Sequence, residues 1–133
     1  MSRARKSLIY FVLWSLLILV LTGIPGNYIP KPQNFLRLFS PDKIVHLLMF
    51  APFAVLFLRF LYSLESEILL KKFPVFSTLI IGIIYATGTE LLQIFVFIGR
   101  SGNVYDAVAD TVGVLLGILF FNKRMKTKDL KRG

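Results

Sequence analysis

The chain has 133 residues, enough for one domain. Hydrophobic residues make up 56% and charged residues 17%, with a mean hydropathy of +0.71; a soluble domain carries about 25% charged residues, so this composition points to an integral membrane protein. With no cysteine, disulfides and thiolate metal sites are excluded.

The formal net charge is +9. In a soluble protein that would suggest nucleic acid. Here the basic residues cluster at the two termini and between apolar runs, where they fit topology signals and attraction to anionic lipid. The expected partner is a lipid bilayer, with no nucleic acid.

Arg3, Arg5 and Lys6 precede an uncharged apolar run at 7–24. A bilayer core of roughly 30 Å needs about 20 helical residues, so this run with a short flank can span it. It is longer than a signal-peptide core and no A-x-A-like site follows, so it is read as a retained span. Residues 25–41 hold Pro25, Gly26, Pro30, Pro32 and Pro41, an ordered non-helical loop.

Ser40-Pro41-Asp42 has the chemistry of a helix start, with Ser40 as N-cap, Pro41 in the first turn and Asp42 favoured by the dipole. The second span is expected over 42–62, kinked at Pro52. A polar connector with Glu65, Glu67, Lys71 and Lys72 leads to a third span over 73–98. At 1.5 Å per residue that is about 39 Å, long enough to require tilt or protrusion. Ser101-Gly102-Asn103 is a turn, and Asn103 can cap a fourth span over 104–121. A basic tail follows, with Lys123, Arg124, Lys126, Lys128, Lys131 and Arg132.

The expected fold is therefore all-α: a four-helix transmembrane bundle in the cell membrane. The positive-inside rule places both termini in the cytoplasm, because Arg59, Lys71, Lys72 and the two tails fall on one side. Lys31, Arg37, Lys43 and Arg100 fall on the other.

Polar residues inside these spans converge. Asp42 and His46 share a face of the second span, Glu90 and Gln93 a face of the third, and Asp106 and Asp110 a face of the fourth. Counted from the helix ends at 1.5 Å per residue, His46, Glu90 and Asp110 all fall in the outer third of the bilayer. Arg100 lies in the loop beside them. Carboxylates in apolar spans are costly and need partners. Gly82, Ala86 and Thr89 form a small-residue face on the third span, and Gly113-x-x-x-Gly117 one on the fourth, both expected to serve close packing.

The pieces Asp42-Lys43-x-x-His46, Glu90-x-x-Gln93, Gly99-Arg100 and Asp106 followed by Gly113 and Gly117 resemble the VanZ-like family of small bacterial membrane proteins. The resemblance covers roughly residues 40–118, and the loop Pro25–Pro41 is also of the family's type. Asp110 stands where the family's pattern usually has Asn. The resemblance implies a multi-pass bacterial membrane protein. Because the name-bearing member is associated with low-level teicoplanin resistance, it also implies a connection with glycopeptides and the cell envelope.

The candidate polar site is thus Asp42, His46, Glu90, Gln93, Arg100, Asp106 and Asp110. Three readings of it stand. In the first it recognises a peptidoglycan precursor, a lipid-linked intermediate or a glycopeptide, with Arg100 holding an anionic group and Glu90 and Asp106 holding amines or hydroxyls. In the second it is an enzyme acting on a lipid or lipid-linked substrate, with Glu90 or His46 as general base and Arg100 stabilising negative charge; no G-x-S-x-G nucleophile motif supports this. In the third it only holds four helices in register, as the polar site of an accessory subunit. No cofactor is expected. One imidazole among carboxylates can ligate a metal, but H-E-x-x-H is absent and no metal is assigned. Four spans without inverted repeats make a thin scaffold for a transporter.

Overall fold

The computed structural model describes residues 1–25, 41–99 and 102–130, with the side chains of 41, 42 and 128–130 left aside. The described residues form five helices and no strand: α1 (Arg3–Thr22), α2 (Pro41–Ser63), the short α3 (Leu69–Lys72), α4 (Pro74–Phe95) and α5 (Val104–Leu130). Four of them are long and apolar enough to cross a membrane, over Arg3–Thr22, Lys43–Ser63, Pro74–Phe95 and Val104–Thr127. Large apolar side chains face outward on each, as with Val20, Leu48, Ile84 and Leu119, all at least 60% exposed. Water would penalise such surfaces, whereas lipid tails solvate them.

Helix boundaries depart from the apolar pattern in three places. α1 begins at Arg3 rather than 7, because the Ser2 hydroxyl accepts the Arg5 N–H and caps the basic turn as well as the apolar one. α4 ends at Phe95, although Val96, Phe97 and Ile98 continue the apolar run. Val96 and Phe97 both donate to the Leu92 carbonyl, and Gly99 takes φ 70°, so the chain turns away before the helix can extend. Its 22 residues span about 33 Å, close to the bilayer core, so the expected overhang is absent. α5 runs on to Leu130 through the basic tail; lysine and arginine are good helix formers, and leaving an apolar environment does not end a helix.

α2 is the central helix and packs most extensively against α5. Helical geometry continues through Pro52. Proline supplies no N–H to the Leu48 carbonyl one turn earlier. In that weakened turn the Trp14 indole donates to the Met49 carbonyl at 2.9 Å and ties α1 to α2. The Tyr85 hydroxyl donates to the Ser15 carbonyl and ties α4 to α1. Tyr85 also stacks on Phe53 at 4.9 Å, and Phe53 meets Phe11 at 5.0 Å, so three helices share one aromatic core.

The glycines of α5 set the α2–α5 distance. A Cβ on Gly117 would stand 2.3 Å from the Ala51 carbonyl oxygen, and one on Gly113 would stand 2.6 Å from the Leu47 carbonyl oxygen. The small-residue pair therefore packs on α2. Gly88, by contrast, has nothing within 4 Å of its added Cβ. Gly117→Ala should therefore destabilise the detergent-solubilised protein by roughly 1–3 kcal/mol through overpacking. Gly88→Ala should stabilise it by up to about 1 kcal/mol through helix propensity. Thermal unfolding of both variants checks the pair; equal effects would contradict the packing.

Candidate functional site

The four long helices place polar residues at one end of the bundle because they alternate in direction. α1 and α4 finish there, and α2 and α5 begin there. His46 sits one turn into α2, three residues after Lys43. Thr89, Glu90 and Gln93 are buried in the last turns of α4. Asn103 immediately precedes α5, and its side-chain oxygen accepts the Tyr105 N–H at 3.0 Å, as expected of an N-cap. That start places Asp106 in the first turn and Asp110 one turn deeper.

The deepest contact is between His46 Nδ1 and Asp110 Oδ1, 2.9 Å apart with both residues at most 1% exposed. An ionised Asp110 accepts only, so Nδ1 is then the protonated nitrogen of the ring. Nearer the helix ends, Lys43 Nζ lies 4.0 Å from Asp106 Oδ1. These two contacts join α2 to α5 one turn apart, directly above the glycine contacts.

Glu90 belongs to a different connection. Its Oε2 accepts the Asn103 backbone N–H at 2.8 Å, so α4 holds the cap residue of α5. The approach is close enough that a Cβ on Gly102 would stand 2.7 Å from the Glu90 carbonyl oxygen. Glu90 Oε1 is buried and has no hydrogen-bond partner among the described residues. His46, Asp106 and Asp110 are all within Coulombic reach of this carboxylate. Gln93 turns the other way: its Nε2 donates to the Thr22 carbonyl at 3.3 Å. That carbonyl is in the last turn of α1, where helical partners run out.

His46, Glu90 and Asp110 each offer one ligand atom, and these atoms lie within 4.8 Å of one another. One imidazole nitrogen and two carboxylate oxygens form a donor set suited to zinc or manganese. The same groups can instead accept from an ammonium or hydroxyl, or exchange a proton between carboxylate and imidazole.

Of the residues expected in the site, His46, Glu90, Gln93, Asp106 and Asp110 are all buried at this end. His46 meets a carboxylate across helices, and that carboxylate is Asp110. Among the described residues the Glu90 hydrogen bond goes to a backbone amide. The Asp42 side chain and Arg100 lie outside the described residues. Three contributors were not among the expected site residues: Lys43, the Asn103 amide and the Thr22 carbonyl. The spacing of Lys43 from His46 put it on the same helical face and carried that signal; the two backbone groups carry none in sequence. A double-mutant cycle of His46→Ala and Asp110→Ala should give a coupling of roughly 1–2 kcal/mol in unfolding free energy. Additive effects would show that the contact does not hold α2 to α5.

The family model described as VanZ/LLP1 matches residues 7–125. No curated protein and no solved structure matches the chain at a significant level. The matched stretch contains nearly all of the four spans and every described residue of the cluster, and on that extent of agreement the chain belongs to the VanZ/LLP1 family.

Proposed function

We propose that the buried cluster recognises an envelope-related molecule, a peptidoglycan precursor, lipid-linked intermediate or glycopeptide, from the outer side of the bacterial cell membrane. The observation that carries this reading is Glu90 Oε1, a buried carboxylate oxygen with no hydrogen-bond partner among the described residues. A buried acceptor left unsatisfied costs about 1–3 kcal/mol, more when charged. An amine or hydroxyl of a ligand would supply the missing donor. Glu90 and Asp106 would then hold donors, and Arg100, in the sequence between α4 and α5, an anionic group such as phosphate. The outward orientation, with both termini in the cytoplasm, rests on the distribution of lysine and arginine.

A second reading rests on the mutual distances of His46, Glu90 and Asp110, which suit a divalent cation. One set of titrations separates the two. Purified protein in lipid nanodiscs is titrated with teicoplanin, with a lipid-linked peptidoglycan precursor, and with Zn²⁺ or Mn²⁺. The recognition reading predicts saturable binding of an organic probe, weakened roughly tenfold or more in Glu90→Gln, equivalent to losing one charge-assisted hydrogen bond. Saturable metal binding lost in His46→Ala, with no organic probe bound, would favour the cation. Organic binding unchanged in Glu90→Gln would overturn the recognition reading.

A further inference from the structure

The opposite end of the bundle carries a second, chemically inverse site. α1 and α5 both pack near α2, yet among the described residues they make no close backbone contact with each other. The gap between them is a cleft of about 440 Å³ floored by α2. Four cations line it: Arg3 and Lys6 from α1, Arg59 from α2 and Arg124 from α5. Among the described residues no carboxylate lines it, and none of the four forms a salt bridge.

Like charges on three separate helices repel, and nothing in the packing requires them to share one opening. Their common feature is level. Arg3 and Lys6 lie in the first turns of α1, Arg59 is four residues from the end of α2, and Arg124 follows the apolar run ending at Phe121. That is where an apolar span gives way to the headgroup region of a bilayer. Tyr10 and Tyr62 add hydroxyls to the lining. Tyr62 is held by stacking on Phe121, with ring centroids 5.5 Å apart. Deeper in the cleft the lining becomes Val55, Leu56 and Phe120, an apolar wall continuous with the lipid-facing surface.

We propose that this cleft binds the phosphate of an anionic membrane lipid, with arginine forks on the phosphate oxygens and an acyl chain along the apolar wall. Guanidinium groups match phosphate geometry bidentately, and a tyrosine hydroxyl can donate to a remaining oxygen. The occupant is a lipid rather than a soluble anion because the cleft joins cations to an apolar surface, and a free phosphate would use only the first. The site is independent of the polar cluster at the other end.

The test uses the full chain in mild detergent and counts bound lipids by native mass spectrometry, with phosphatidylglycerol against phosphatidylcholine. A charge-assisted hydrogen bond from a cation of the cleft to a phosphate oxygen contributes about tenfold to affinity. Arg59→Gln/Arg124→Gln should therefore lose roughly 100-fold for phosphatidylglycerol. Arg5→Gln/Lys126→Gln removes the same net charge outside the cleft lining and should change affinity by no more than about twofold. Equal losses in both pairs would mean diffuse attraction and would overturn the site. Displacement of the lipid by millimolar inorganic phosphate would identify a soluble-phosphate site and overturn the lipid assignment; persistence of the lipid supports it. If Arg59→Gln fails to fold, Lys6→Gln/Arg124→Gln carries the same expectation.

Discussion

A polar side chain in a hydrocarbon core has no water to bond with, so each one must find its partner inside the protein. The His46–Asp110 contact meets that condition for two of the most buried ionisable groups, and the geometry around it follows. It requires α2 and α5 to lie close at their starting ends, and Gly113 and Gly117 allow that closeness to continue down the helices. Lys43 and Asp106 repeat the connection one turn nearer the helix ends. α4 joins through Glu90 and the Asn103 amide, and α1 through the Thr22 carbonyl and Gln93. Each of the four long helices thus contributes at least one polar contact at the same level.

The two ends of the bundle have opposite character. Among the described residues one buries three carboxylates, Glu90, Asp106 and Asp110, beside one lysine and one histidine. The other opens a cleft lined, among the described residues, by four cations and no acid. Between them the middle of the bundle is apolar and aromatic, built on Phe50, Phe53 and Tyr85. Such a polarised molecule fits a membrane whose two faces present different chemistry. Most interhelical polar contacts contribute little stability each. Among the described residues Glu90 Oε1 is left without a donor.

The four spans and the convergence of His46, Glu90 and Asp110 were legible because both follow from counting residues along apolar helices. The Asn103 cap was legible because its chemistry is local. Helix ends were less so. Val96, Phe97 and Ile98 look like more helix, and only the positive φ of Gly99 and the fold-back of Asn103 onto Glu90 set the stop. Partner choice was the least legible. Whether His46 meets Asp110 or Glu90 depends on how α2 and α5 rotate about their axes, and that rotation is set by glycine-to-backbone contacts. Gln93 shows the same limit: it shares a face with Glu90 in sequence, but its amide serves α1.

In the proposed function Glu90 is held ready for a ligand at some cost to the fold. Thermal unfolding of Glu90→Gln against wild type in the same detergent tests it most directly. Glutamine keeps an oxygen for the Asn103 N–H and removes the charge, so a residue retained for function should give a variant as stable as wild type or more so. That is the result expected. A variant that melts well below wild type would show that the Glu90 carboxylate is a structural partner rather than a group held for a ligand.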